Sequence, residues 1–321
     1  MASISEFDLI EEYFAGQIVA SYGVNLGIGD DCALLTVPQS KQLAVSIDTM
    51  IGGVHFPKNA DPELIAERAV RVAVSDLAAM GADPLWMTLS LTLPAAESHW
   101  LAGFSRGLFK AAEEFNLSLV GGDTTRGPLA VAIQVHGSVD PGQAMLRSQA
   151  RVGDIIFVTG SLGDGAAALA VIKKELDVGK SAFSYFMSQY YTPRIWIREA
   201  HALSEVSRCA IDISDGLLAD LGHICKASGV GAVVEAERLP ISEPLRKLAE
   251  PDAALAWALT GGDDYQICFT VAPQQLQALE ELRERHRLDI TAIGEIVRGN
   301  ECVCLSNGRI VECDNLGYKH F

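Results

Sequence analysis

Apolar and polar positions along this 321-residue chain follow two periods, and the changes of period mark out its elements. Near the start, Phe7, Ile10 and Phe14 recur at helical spacing behind Ser5, which predicts a capped first helix. Leu43-Ala44-Val45-Ser46-Ile47-Asp48 alternates with period two and predicts a strand whose Ser46 and Asp48 share one side, opposite Ile47. Asp61-Pro62 supplies an N-cap and a first-turn proline for a helix that Gly81 ends. Two strand-like runs, Trp86 to Leu93 and Leu117 to Val120, flank a helix with Leu101, Phe104, Leu108 and Phe115 at helical spacing. After GGDTTRGP, the alternation Leu129, Val131, Ile133, Val135 gives another strand. The order β-α-β-α-β-β closes a first domain over residues 1–139, and Pro141-Gly142-Gln143 reads as a linker.

The second domain, residues 140–321, opens with the strand Asp154 to Thr159, turns through GSLGDG and enters an alanine-rich helix. Thr192-Pro193 predicts the start of another helix, and Ile211 to Ser214 is a short strand. Asp215 is placed to cap a helix that runs to Gly229. Gly261-Gly262 breaks the pattern before a strand from Gln266 to Val271. The fold class expected is α/β in its mixed α+β form, in two domains.

Composition narrows the function. The chain is 49% hydrophobic, it has no apolar run long enough to span a bilayer, and its start, MASISEFDLIEEYF, lacks a basic n-region, so a soluble cytoplasmic protein is expected. Seven cysteines scattered from Cys32 to Cys313 make neither a disulfide framework nor a zinc knuckle. A formal charge of −16, from 25 Lys+Arg against 41 Asp+Glu, argues against nucleic acid as a partner. It also means that a phosphate bound here needs help from cations.

The carboxylates beside glycine or at strand ends are Asp30, Asp31, Asp48, Asp123, Asp212, Asp215, Asp263 and Asp264. Each alone is an ordinary turn or cap residue; their recurrence points to hard-cation chemistry. Asp76 lies inside a predicted helix on the stripe of Ile65, Ala69 and Val72, where a carboxylate must be neutral, paired or metal-bound. Arg68 or Arg71 as its partner is the structural alternative. Two decoys fail: Val178-Gly179-Lys180-Ser181 has Lys174 where a P-loop needs glycine, and Gly160-x-x-Gly163-x-Gly165 reverses the dinucleotide spacing. No Ser/His/Asp set or nucleophile elbow is present.

GIGDDCALL, SIDTMIGGVHF, SDLAAMGADP, GGDTTRGP, IDISDGL and GGDDY, in this order along nearly the whole chain, resemble the thiamine-monophosphate kinase family of the aminoimidazole ribonucleotide synthetase-like superfamily. The resemblance implies transfer of the γ-phosphoryl of ATP to thiamine monophosphate with several Mg²⁺ ions. It also implies a homodimer whose N-terminal domains share a β-barrel, the C-terminal domain completing the active site. Carried over by position, Asp30, Asp31, Ser46, Ile47, Asp48, Asp76, Asp123, Asp212 and Asp215 are the implied metal positions. Phe104, Gly122, Asp123, Arg147 and Ser214 are the implied nucleotide contacts, and His55, Asp263 and Asn315 the implied substrate contacts. Three positions depart from the family pattern: Ile47 for Ser or Thr, Asp263 for Glu, and Asn315 for an aromatic, with Tyr318 or Phe321 as substitutes. Direct in-line transfer without a phospho-enzyme is expected. The rival readings are another ATP-dependent phosphotransferase of the superfamily and a non-catalytic metal and nucleotide sensor.

Overall fold

The computed structural model of the chain describes residues 6–15, 22–313 and 317–318, in two compact units: Met1–Leu77 with Ala82–Gly142, and Ala78–Gly81 with Gln143–Phe321. Ser5, Asn315 and Phe321 lie outside the described residues. Both units are mixed α/β.

The first unit begins with α1 (Glu6–Ile10), which runs into a π-helical turn, Glu11–Ala15, with Tyr13 and Phe14 buried. Strands β1 (Val24–Leu26) and β2 (Leu34–Leu35) form a small antiparallel pair. Then follow β3 (Gln42–Ile51), α2 (Pro62–Ala79), β4 (Asp83–Leu93), α3 (Ser98–Glu114), β5 (Ser118–Arg126) and β6 (Ala130–Val139). These strands make one sheet in the order β3-β6-β4-β5, in which β4 and β5 are parallel and β6 runs antiparallel to both its neighbours.

Local chemistry accounts for the helices. Asp61 accepts the Glu63 N–H at 2.9 Å at the start of α2, and Gly81 takes φ +66° just past its end. Gly107 of α3 lets α2 approach so closely that a Cβ there would lie 2.0 Å from the Glu63 carbonyl oxygen.

β5 runs on through GGDTTR, past Val120, where the strand-like run is expected to stop. β5 stays in register with β4 as far as Arg126 opposite Leu93, after one irregularity at Met87/Thr88. Its two glycines are poor strand formers by propensity. Gly122 is nevertheless required, since a Cβ there would sit 2.0 Å from the Leu89 carbonyl oxygen.

The second unit comprises β7 (Ile155–Thr159), α4 (Asp164–Ile172), α5 (Lys180–Tyr191), α6 (Ile197–Leu203), β8 (Cys209–Ile213), α7 (Leu217–Ser228), β9 (Gly231–Glu235), α8 (Glu243–Leu248), α9 (Pro251–Thr260), β10 (Gln266–Val271), α10 (Leu276–His286), β11 (Ile290–Val297), β12 (Cys302–Ser306) and β13 (Arg309–Ile310). Its sheet order is β13-β12-β9-β11-β7-β10-β8, with β9 and β12 the parallel pair. Ile156, Val158, Ile211, Ile213, Leu221 and Cys268 are central to the core on this sheet.

Two expected boundaries move. Thr192-Pro193 ends α5 instead of starting a helix, as the restriction on a residue before proline favours, and α6 begins at Ile197. The N-cap of α7 is Gly216 at φ 125°, ψ 146°, not Asp215. Neither sheet closes into a barrel among the described residues, and none of their helices is long and apolar enough to cross a membrane. All seven cysteines are free thiols.

Candidate active site

In the first unit, GIGDD forms the loop between β1 and β2. Asp30 and Asp31 are both exposed, and Asp30 folds back to accept the Asp31 N–H at 2.8 Å. The loop borders a pocket of about 870 Å³ whose other wall is β5 with Gly122 and Asp123. Asp8 and Glu11, three residues apart on one side of the N-terminal helical turns, line the same pocket. Five carboxylates thus face it, and no lysine, arginine or histidine does among its lining residues. Asp8 and Glu11 were not predicted as site residues. Their i, i+3 spacing was readable, but nothing in the sequence ties that turn to GIGDD.

A second acidic group stands on β3 and α2. Ser46 and Asp48 are partly buried while Leu43, Val45 and Ile47 are 46%, 51% and 61% exposed, so the two faces of β3 separate polar from apolar as its alternation requires. The Ser46 hydroxyl donates to Asp76 Oδ2. Asp76 is only partly buried, on the rim of the core stripe. Arg71, one of its two candidate partners, instead forks onto Glu114 and lies 4.0 Å from Glu67. The Ile47 side chain points away from Asp48 and offers no donor. His55 follows the end of β3 in a tight turn and accepts the Ile51 N–H on Nδ1 at 3.0 Å, which leaves Nε2 as the protonated nitrogen of the neutral ring.

Phe104 does not fit its implied role. It is fully buried in α3 and stacks on Trp100 at 5.0 Å, so no ring face is open to a nucleotide.

In the second unit three loops gather where the ends of β7 and β8 meet the start of antiparallel β10. Asp212 is buried near the end of β8, with Ser214 and Asp215 partly exposed just beyond it. The GGDDY segment lies against them: the Asp263 N–H donates to the Ser214 carbonyl and the Tyr265 N–H to the Ile213 carbonyl, each at 2.8 Å. Asp263 holds φ +70°, and its carboxylate accepts the Tyr265 hydroxyl at 3.0 Å. Its neighbour Asp264 is fully buried and accepts the N–H groups of Gly163 and Gly165 at 2.7 and 2.9 Å, tying this loop to the GSLGDG turn. Burial raises the Asp264 carboxyl well above its ordinary range, against the pull of those two donors.

Asp220, in the first turn of α7, is also buried, and desolvation pushes it up to about 7 while the N–H groups of the preceding loop oppose the rise. Arg147 is exposed, and its carbonyl is anchored by the Ser228 hydroxyl at 2.8 Å. Tyr318, 48% exposed, donates its N–H to the Asp215 carbonyl at 3.0 Å.

Among the described residues no three His, Cys, Asp or Glu side chains converge enough to hold a metal ion unaided. Mg²⁺ binds through one or two carboxylates and takes its remaining oxygens from water and substrate phosphates. The Ser46–Asp76 pair and the adjacent Asp30–Asp31 pair are donor sets of that kind.

The family model described as "AIR synthase related protein, N-terminal domain" matches residues 29–139, and "AIR synthase related protein, C-terminal domain" matches residues 151–305. Within that class, the thiamine-monophosphate kinase of Escherichia coli K12 is 44% identical over 318 residues, 98% of each chain. The crystal structure of thiamine-monophosphate kinase from Stenotrophomonas maltophilia K279a superposes with TM-score 0.84 at 42% identity, covering 90% of this chain and 93% of that one. A structure of AaThiL complexed with AMPPCP and TMP superposes with TM-score 0.77 at 31% identity, covering 92% of both. The chain belongs to the thiamine-monophosphate kinase family.

Proposed function

We propose that this chain phosphorylates thiamine monophosphate to thiamine diphosphate with the γ-phosphoryl of ATP, in thiamine diphosphate biosynthesis. The observation that carries the reading is the 870 Å³ pocket lined by five carboxylates, with no basic side chain among its described lining residues, in a member of this family. Such a pocket repels a naked polyphosphate and attracts one whose charge is bridged by divalent cations. The related structure with AMPPCP and TMP supports ATP and thiamine monophosphate as the substrate pair.

In this reading Asp30, Asp31 and Asp123 beside the pocket, Ser46, Asp48 and Asp76 on β3 and α2, and Asp212 and Asp215 in the second unit hold Mg²⁺. Ile47 can add only its carbonyl oxygen. When bound, Mg²⁺ neutralises phosphate charge and lets two anions approach. Gly122, which leaves the pocket wall without a side chain, and Asp123, Arg147 and Ser214 receive the nucleotide. His55 and Asp263 meet the substrate, and exposed Tyr318 supplies the aromatic face that Asn315 lacks. With no nucleophile constellation in the sequence, an oxygen of the substrate phosphate attacks the γ-phosphorus directly and ADP leaves.

The enzyme acts in the cytoplasm as a homodimer. The exposed apolar face of edge strand β3, with Leu43, Val45 and Ile47, is the surface that a second copy covers, and joining the two sheets there makes the shared barrel.

Incubation of the purified chain with ATP, Mg²⁺ and thiamine monophosphate is expected to give thiamine diphosphate and ADP in equal amounts by anion-exchange chromatography. ADP with inorganic phosphate and no thiamine diphosphate would contradict the reading.

A further inference from the structure

Residues 213–216 form a loop whose backbone polar groups are almost all engaged. The Ile213 carbonyl accepts from Tyr265, the Ser214 carbonyl from Asp263, the Asp215 carbonyl from Tyr318 and the Gly216 carbonyl from Asp220, at 2.8 to 3.0 Å. On the donor side, the N–H groups of Ser214, Asp215 and Gly216 converge on one atom, Asp220 Oδ2, at 3.1, 3.0 and 3.1 Å. Asp220 is 3% exposed. Gly216 is pinched as well: at φ 125° a Cβ there would meet the Thr260 carbonyl group at 2.8 Å.

We propose that Asp220 is a positioning residue for the phosphoryl transfer. It draws three successive N–H groups onto one buried carboxylate oxygen, and so fixes the direction in which the Ser214 and Asp215 side chains leave the loop. The proposal rests on the reading above, in which those side chains receive the nucleotide and metal. With the backbone engaged, what this loop offers a ligand is its side chains, and their aim depends on the backbone that Asp220 holds. A helix cap would need one bond from a residue preceding the helix. Here the acceptor lies inside the first turn and reaches back over three residues, gathering their N–H groups on a single oxygen.

Asp220→Ala and Asp220→Asn separate this role from plain support of the fold. Well below its melting temperature, Asp220→Ala is expected to raise the KM for Mg-ATP at least about tenfold and lower kcat, with the KM for thiamine monophosphate moving less than about threefold. Amide exchange at residues 214–216 should quicken at least about 100-fold while β7 and β10 stay protected. Asp220→Asn keeps an acceptor oxygen and should restore the Mg-ATP KM to within about threefold of wild type, even where the alanine variant does not fold. An unchanged Mg-ATP KM in folded Asp220→Ala would overturn the proposal, as would a folded Asp220→Asn with protected 214–216 amides and lost activity. If the wild-type chain makes no thiamine diphosphate, the functional reading fails separately, and Mg-ATP affinity by calorimetry replaces KM as the readout for Asp220.

Discussion

Asp76 shows how far one residue can be read. Its place on a helical stripe with Ile65, Ala69 and Val72 announced a carboxylate in need of a partner, and the structure supplies one from β3, the Ser46 hydroxyl. What the sequence could not show is that the stripe's edge is open, because the depth of a helix in its sheet is set by tertiary packing. Since Asp76 is only partly buried, Asp76→Asn keeps an acceptor for Ser46 and should shift the melting midpoint by no more than a few degrees. Turnover should fall at least about 100-fold, because an amide cannot replace a metal-binding carboxylate. A melting curve and a turnover assay on one preparation check both; near-normal turnover would remove Asp76 from the metal set. Phe104 is the opposite case. Helical spacing placed it in the core and resemblance placed it at the nucleotide, and complete burial supports the core.

At the level of elements, strands with clean alternation and helices with caps were legible, β3 and α2 above all. The full length of β5 was not, since its apolar run stops at Val120 and the glycine, aspartate and threonine that follow carry no strand signal until β4 is seen beside them. The two glycines give a sharp test. A Cβ at Gly121 meets nothing within 4 Å, whereas one at Gly122 runs into the Leu89 backbone. Gly121→Ala should therefore unfold in urea close to wild type, and Gly122→Ala should be less stable by about 2 kcal/mol or more as β5 is pushed off β4. Equal stability of the two variants would mean that β5 does not pack on β4 as described. The α7 start was misassigned for a related reason: Asp215 has the composition of a cap, but the residue that serves the loop, Asp220, comes after it and acts over three N–H groups.

For the whole molecule, surface character carries the remaining expectations. Ile47→Lys puts a charge at the centre of the exposed apolar face of β3, so sedimentation equilibrium should find dimer for the wild type and predominantly monomer for the variant; a wild-type monomer would remove the shared barrel from the account. The net charge of −16 and the five carboxylates around the pocket converge on one further measurement. A phosphate charge about 5 Å from a carboxylate, at an effective dielectric near 20, is repelled by about 3 kcal/mol before screening. Several such pairs outweigh a single arginine, and a bridging divalent cation reverses their sign. Titration calorimetry of ATP into the full chain, with excess Mg²⁺ and then with chelator, reads this directly, with adenosine as the control that lacks phosphates. The expected result is at least about 100-fold weaker ATP binding in chelator, a difference of about 2.7 kcal/mol, with adenosine indifferent to the metal. ATP binding of equal strength in both solutions would contradict a metal-bridged phosphate site at these carboxylates.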